Sequence, residues 1–277
     1  MESRSTSNRL PAFMASAEWV EYFRRNRDRL LEQPWELGAE VTEAERDAIA
    51  ASVREFQLGE SSEGRHLVTA ARRYAERAGD PVYVEALRLF IAEEHRHARD
   101  LGRFLDLAGV ERAAKSWPDT VFRWLRRRAG LETSIVVLVT AEIIAKVYYA
   151  ALREATGSRL LRRLCDQILS DEVAHVHFQT ERLAILRNGR SPWRVRFRQS
   201  LHQFLMAGTC VVVWHKHGRA LRAGGYGFGR FWRETWREMR EALVRSDPQS
   251  YVPTAANPRY EGTSDSPELV HALRTSR

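Results

Sequence analysis

Two short segments of this chain share a Glu-x-x-His pattern. They read Glu94-His95-Arg96-His97 and Glu172-Val173-Ala174-His175. Glutamate and histidine three positions apart on an α-helix lie on the same face, about one turn apart. Each segment therefore presents a carboxylate and an imidazole in one direction, as a pair of metal ligands would be presented. One such pattern arises readily by chance in helices rich in Glu and His, but two copies favour a shared metal site.

A third glutamate lies where an unpaired carboxylate is costly. Glu142 is in the apolar run Ile135 to Ile144, and burying it alone would cost several kcal/mol or force it to take up a proton. A metal cation removes that cost. The alternative is an ion pair with Lys146 at the helix surface, which the apolar composition of this segment disfavours.

The fourth carboxylate has two candidates, because Glu60 and Glu63 both face inward on the preceding helix. Glu63 is favoured because, in two antiparallel helices joined by a turn near Gly79, it would lie level with Glu94. Glu60 is favoured because a small residue, Gly59, directly precedes it, as Ala141 directly precedes Glu142. We take Glu60 as the ligand and Glu63 as a neighbouring or additional one.

Together these residues predict a site for two metal ions with four carboxylates and two imidazoles. The predicted ligands are Glu60, Glu94, His97, Glu142, Glu172 and His175. Four glutamates carry four negative charges, which two divalent ions would balance. Oxygen-rich ligation with one imidazole per ion favours iron or manganese over zinc.

Glycine and proline residues divide the chain into segments of helical periodicity, without the alternation typical of strands. We predict an all-α protein. The helices are predicted at about 16–31, 42–78, 81–108, 119–128, 131–155, 159–187, 192–223 and 229–244. The domains are predicted as an N-terminal helical segment (1–41), an antiparallel four-helix bundle (42–188), basic C-terminal helices packed on the bundle (189–246) and a loose tail (247–277).

The turns between these helices support the metal site. In two antiparallel helices, residues equidistant from the turn lie level with each other. The midpoint between Glu142 and Glu172 is Gly157, and the midpoint between Glu60 and His97 falls beside Gly79. Both hairpins therefore bring a glutamate opposite a Glu-x-x-His segment.

Other residues near these motifs have two interpretations each. Asp171 directly precedes Glu172 and is either a surface charge or an acceptor for an imidazole of the other pair. Tyr149, seven residues after Glu142, either packs in the core or lines the site as a proton or electron donor. The weak helix formers from Gly59 to Gly64 either kink the helix or leave room for dioxygen or substrate.

Composition limits the cellular context. The 277 residues carry 44 Lys+Arg against 36 Asp+Glu, with two cysteines. Two cysteines are too few for a disulfide framework. The polar N-terminus resembles no signal peptide, and no uncharged apolar run reaches the roughly 20 residues that span a bilayer. A cytoplasmic protein is expected.

The segment from Arg182 to Arg233 has eleven Arg or Lys residues and no acidic residue, around an apolar centre from Gln199 to Trp214. It either packs on the bundle, which we favour, or lies peripherally on the inner membrane surface. Nucleic-acid binding is not expected, because no known recognition motif is present. A homodimer remains open.

The chain resembles the ferritin-like di-iron carboxylate superfamily over residues 42–188, through the six predicted ligands. Gly59-Glu60-Ser61 is similar to the first-helix ligand motif of rubrerythrins, and Asp171-Glu172-Val173-Ala174-His175 is similar to the fourth-helix signature of membrane-associated di-iron quinone hydroxylases. The resemblance implies terminal lone glutamates and bridging Glu-x-x-His glutamates around two iron ions.

The six-ligand set is more like the oxygen-activating branch than ferritins, which carry part of it. The Cys-x-x-Cys module of many rubrerythrins is absent. The resemblance therefore implies an oxidoreductase that activates dioxygen to oxidise a largely apolar organic substrate, with an electron donor not identified. Its catalytic glutamates would be Glu60, Glu94, Glu142 and Glu172. The alternatives are a ferroxidase or rubrerythrin-like peroxide scavenger, or a helical adaptor without enzyme activity.

Overall fold

The computed structural model describes residues 13–61, 64–113 and 130–251. All regular structure in these ranges is helical, which confirms the predicted fold class. The helices are α1 (Ser16–Arg27), α2 (Glu43–Glu60), α3 (Arg65–Ala78), α4 (Val82–Leu107), α5 (Leu131–Glu154), α6 (Arg159–Arg187), α7 (Pro192–Ala223) and α8 (Phe228–Arg245). The predicted helix at 119–128 and most of the predicted tail lie outside the described residues.

Local sequence signals set most helix ends. At the start of α2, Thr42 accepts a hydrogen bond from the Glu45 amide, and the Glu45 carboxylate accepts one from the Thr42 amide. This reciprocal cap depends only on the local sequence, Thr42 followed three residues later by Glu45. Gly79 follows α3 with a φ of +66°, a conformation that glycine adopts without steric cost. Helix α6 has the predicted bounds, Arg159–Arg187.

The single long helix predicted over 42–78 is wrong, because the chain breaks between α2 and α3. Gly64 has a φ of +62°, and a Cβ there would lie 2.6 Å from Cδ1 of Ile91. The break ends α2 at Glu60, while Glu63 lies outside the described residues. Of the two alternatives for the weak helix formers from Gly59 to Gly64, the structure has the break in the helix. Ile91 fills the position that a Cβ at Gly64 would take, and Gly59 is exposed.

Helix α5 is the central element of the described fold. It packs against α6, α7, α8 and α3, whereas α1, α2 and α3 pack on α4, and α4 also contacts α6. Helix α5 is long and apolar enough to cross a membrane, but 72% of its most apolar window is buried by the rest of the protein. Its composition is therefore that of a core helix.

Helix α7 packs on α5 and α2 through one face, on which His202, Met206 and Cys210 are buried. The His202 ring nitrogen Nε2 lies 3.0 Å from the Thr140 hydroxyl on α5. At the end of α7, Gly224 lies so close to the backbone of Ala151 that a Cβ would come within 2.0 Å of its carbonyl oxygen. These contacts fix α7 against the core.

Candidate metal centre

The six predicted side chains converge on two adjacent ligand groups. In each group, one potential ligand atom per residue lies within 4.8 Å of the others. The first ligand group contains Glu60, Glu94, His97 and Glu172, and the second contains Glu94, Glu142, Glu172 and His175. Glu94 and Glu172 belong to both groups. A cation in either group would therefore share two carboxylates with its neighbour.

Four helices supply these side chains. Helix α2 contributes its last residue, Glu60, and α5 contributes Glu142, whereas α4 and α6 each contribute one Glu-x-x-His pair. The residues that were predicted to lie level across each turn are brought together: Glu142 and Glu172 share one ligand group, and Glu60 and His97 share the other. Lys146 pairs with Glu238 on α8, so the alternative ion pair for Glu142 is wrong.

Several polar atoms of the cluster are buried without a hydrogen-bond partner. They are Glu94 Oε1, His97 Nδ1, both Glu172 carboxylate oxygens and His175 Nδ1. These atoms face one another without hydrogen-bond geometry: His175 Nδ1 lies 2.9 Å from Glu94 Oε1 and 3.6 Å from Glu172 Oε2, and His97 Nδ1 lies 3.9 Å from Glu172 Oε1. An unsatisfied buried polar group costs about 1–3 kcal/mol. Cations would take up these lone pairs, so the residues fit a two-metal site.

The outer nitrogen of each imidazole is held by a carboxylate from the opposite helix. Nε2 of His97 on α4 lies 3.0 Å from Asp171 Oδ2 on α6, and Nε2 of His175 on α6 lies 3.0 Å from Glu93 Oε2 on α4. With a carboxylate to accept the Nε2 proton, each imidazole could offer its Nδ1 lone pair to a cation in the ligand groups. The sequence indicated this role for Asp171 as one of two interpretations but missed Glu93.

A residue of α1 joins these two outer carboxylates. The side-chain amide of Asn26 donates to Glu93 Oε1 at 2.7 Å and to Asp171 Oδ1 at 2.8 Å. Asp171 also accepts hydrogen bonds from Gln167 at 3.0 Å and from Arg96 at 2.5 Å. Sequence reasoning missed Asn26, because the contact to Asp171 joins residues 145 positions apart.

The electrostatics of the cluster also favour cations. Burial raises the pKa of Glu60 and of Glu142 well above the ordinary value, and the charges of neighbouring carboxylates raise both further. Burial likewise raises the pKa of Glu172 to about 7. Without counter-charges this cluster holds protons instead. Divalent ions would replace those protons and leave the carboxylates ionised.

Asp171 and His175 also have shifted pKa values. Burial alone would raise the pKa of Asp171, but hydrogen bonding to His97 and the charge of Arg96 lower it to about 2. Burial would lower the pKa of His175, but the close carboxylates of Glu172, Glu93 and Glu94 raise it well above the ordinary value. Asp171 is therefore an ionised acceptor, as orientation of the His97 imidazole requires.

Aromatic side chains enclose the site. The Tyr149 hydroxyl donates to Glu60 Oε1 at 2.7 Å, and burial, with the Glu60 charge, raises the Tyr149 pKa well above its ordinary value. Tyr149 therefore contacts a predicted ligand directly and stays protonated. The Phe90 ring lies edge-on to the His175 ring at 4.7 Å, with Phe23 at 6.3 Å.

Comparisons with protein-family models, with curated proteins and with solved structures find no match to this chain. The functional argument therefore rests on the site: a buried cluster of glutamates and histidines in an all-helical protein, able to hold a metal ion.

Proposed function

We propose that the protein is a ferritin-like di-iron oxidoreductase that uses dioxygen to oxidise a largely apolar organic substrate. The observation that carries this proposal is the pair of ligand groups with two shared glutamates. A site for one ion would not need the second group. The helical fold and the burial of the cluster are compatible with the ferritin-like superfamily.

In this proposal the two ligand groups hold one ion each. Glu60 and His97 would hold the first ion, Glu142 and His175 would hold the second, and Glu94 and Glu172, which belong to both groups, would serve both ions. The oxygen-rich donor set with one imidazole per ion favours iron, with manganese as the alternative. When bound, an iron pair supplies one-electron redox chemistry and the activation of dioxygen.

The protein's own residues position the metal ligands and control access to the site. The Tyr149 hydroxyl, 2.7 Å from Glu60 Oε1, fixes that carboxylate through the hydrogen bond that it donates. Phe23 and Phe90 exclude water from the side of His175. A water-poor site strengthens the electrostatic contacts and protects reactive species from side reactions.

The overall reaction would be hydroxylation of a C–H bond. One atom of dioxygen enters the substrate as a hydroxyl group and the other leaves as water. The balance requires two electrons and two protons from an external electron donor. The proposed catalytic glutamates are Glu60, Glu94, Glu142 and Glu172.

A ferroxidase or peroxide-scavenging activity is the second candidate. The observation that favours it is the tight contact of Ile91 with Gly64, in the segment where the sequence allowed room for an organic substrate. In that case Fe(II) or peroxide is itself the substrate, and no organic compound is consumed.

Metal loading tests the site. Anaerobic titration with Fe(II) should give two ions per chain for the wild type and one fewer for Glu142→Ala. Glu238→Ala is the control, because Glu238 is a partly buried carboxylate that pairs with Lys146 and belongs to neither ligand group. It should retain two ions. Well under one ion per wild-type chain, or two ions in Glu142→Ala, would refute the proposal.

Two further measurements resolve the remaining choices. Glu60→Ala should lose one ion, whereas Glu63→Ala should keep both if Glu60 is the ligand of the first group. Oxygen consumption by the loaded protein should then depend on a reductant and an organic substrate. Repeated consumption with Fe(II) or peroxide alone would favour the second candidate.

A further inference from the structure

Helix α7 has a row of large apolar side chains that face outward. Trp193, Phe197, Leu201, Phe204 and Val211 are 66%, 59%, 52%, 81% and 56% exposed. Their spacings of three, four and seven place them on one face of the helix. At about 1.5 Å per residue the row is about 27 Å long. We call these five residues the α7 stripe.

The α7 stripe is not the face by which α7 docks. His202, Met206 and Cys210 occupy the opposite side and are buried against the core. The helix is therefore fixed in place with an aromatic face exposed, within the part of the chain that the structure describes. Contiguous exposed apolar residues of this kind mark an interaction surface.

Basic residues flank the α7 stripe on both sides. Arg194 and Arg198 lie on one side of it around the helix and Arg196 on the other, and all three are exposed. Arg198 also lies 3.5 Å from Glu132, which pairs with further arginines. The surrounding segment from 182 to 233 has eleven basic residues and no acidic one.

This charge distribution distinguishes between two occupants. A two-fold dimer through the stripe would place the same surface against itself. That would bring the arginines of two copies together with no acidic residue of the segment to pair with them. An anionic bilayer instead offers headgroup phosphates to the arginines and an apolar boundary to the aromatic rings.

We propose that the α7 stripe docks the protein on an anionic membrane surface. Trp193, Phe197 and Phe204 enter the boundary between headgroups and acyl chains, while Arg194 and Arg196 contact lipid phosphates. The proposal is independent of the metal centre, because the stripe shares no residue with the ligand groups.

Vesicle flotation tests this proposal with the full chain. The wild type should float with phosphatidylcholine vesicles that contain about 30% phosphatidylglycerol. Its partition should fall about tenfold on vesicles of phosphatidylcholine alone and should weaken as salt is added. Phe204→Ser and Trp193→Ser should each reduce partition about tenfold, because each loses a large inserted side chain. Arg194→Gln with Arg196→Gln should remove most of the salt dependence.

Val244→Ser on α8 is the matched control, since Val244 is 69% exposed and lies outside the stripe. It should bind vesicles as the wild type does. Wild type that stays with the soluble fraction on anionic vesicles, or stripe variants that bind as tightly as the control, would overturn the proposal. A wild-type dimer in light scattering that Phe204→Ser converts to a monomer would also overturn it, in favour of a second copy.

Discussion

Asn26 should control the affinity of both metal ions without touching either one. Its side-chain amide is the shared donor to Glu93 and Asp171, which orient His175 and His97 respectively. In Asn26→Ala both carboxylates lose this donor. Each imidazole is then held less firmly, so both ions should bind more weakly while all six ligands remain present.

The expected losses are unequal, because the two carboxylates differ in their other partners. Asp171 keeps its hydrogen bonds from Gln167 and Arg96, whereas Glu93 keeps, among the residues that the structure describes, the one to His175. Loss of an outer partner of a metal-binding histidine typically costs 10–100-fold in affinity, or about 1.4–2.8 kcal/mol. We therefore expect about 100-fold at the second ligand group and about tenfold at the first.

Anaerobic titration calorimetry with Fe(II), repeated with Mn(II), measures the two affinities. Arg24→Ala is the matched control, since Arg24 joins α1 to α4 through Glu85 at 2.5 Å, remote from the site. The control should bind both ions normally. Thermal melts of the metal-free proteins should be recorded alongside, because a general loosening of α1 would affect both variants.

Affinities of Asn26→Ala that equal those of Arg24→Ala would refute the reasoning. Equal weakening at both sites would show that Asn26 acts only through the packing of α1. The unequal loss is the result that a purely structural role does not produce.

Two predictions concern stability. Burial raises the pKa of Glu181, which accepts a hydrogen bond from the Trp19 indole at 2.8 Å, from 4.5 to about 7. Protonated Glu181 therefore contributes fully to the free energy of unfolding below pH 4.5, and this contribution is lost as the pH rises from 4.5 to about 7. A glutamine side chain does not titrate, so the free energy of unfolding of Glu181→Gln should rise relative to that of the wild type by about 2.5 kcal/mol between about pH 5 and about pH 8, as measured by urea unfolding. A difference between the two proteins that does not change with pH would contradict this. Gly224→Ala should cost about 3 kcal/mol or more, because its Cβ would overlap the Ala151 carbonyl, whereas Gly208→Ala in the open middle of α7 should gain up to about 1 kcal/mol; similar melting temperatures for these two variants would contradict the assigned contact.

Much of the helical framework could be predicted, because its ends depend on local chemistry. Thr42 with Glu45, Gly79 and Ser158 each act within a few residues of the chain, through caps and turn conformations. The break at Gly64 could not be placed with certainty from the sequence. The apolar periodicity continues across it, and its tight contact is with Ile91 on another helix.

The buried cluster of glutamates and histidines could be predicted for a similar reason. The Glu-x-x-His spacing is local, and the apolar run around Glu142 makes an unpaired carboxylate expensive. The outer residues differ in this respect. Glu93 had a signal, an acidic residue directly before the motif glutamate, as Asp171 has before Glu172. Asn26 had none, because its role depends on how α1 lies across α4 and α6.

The crossed carboxylates have a consequence for the order in which metal ions would bind. Helix α4 carries the imidazole of one ligand group and the acceptor that orients the imidazole of the other, and α6 does the same in reverse. The first ion to bind therefore fixes the rotation of both helices and lowers the ordering cost for the second. We expect positive cooperativity: at one equivalent of Fe(II), fully loaded and empty chains should outnumber singly loaded ones in native mass spectra. Singly loaded chains that equal or outnumber the fully loaded and empty chains together would show that the two ligand groups fill independently.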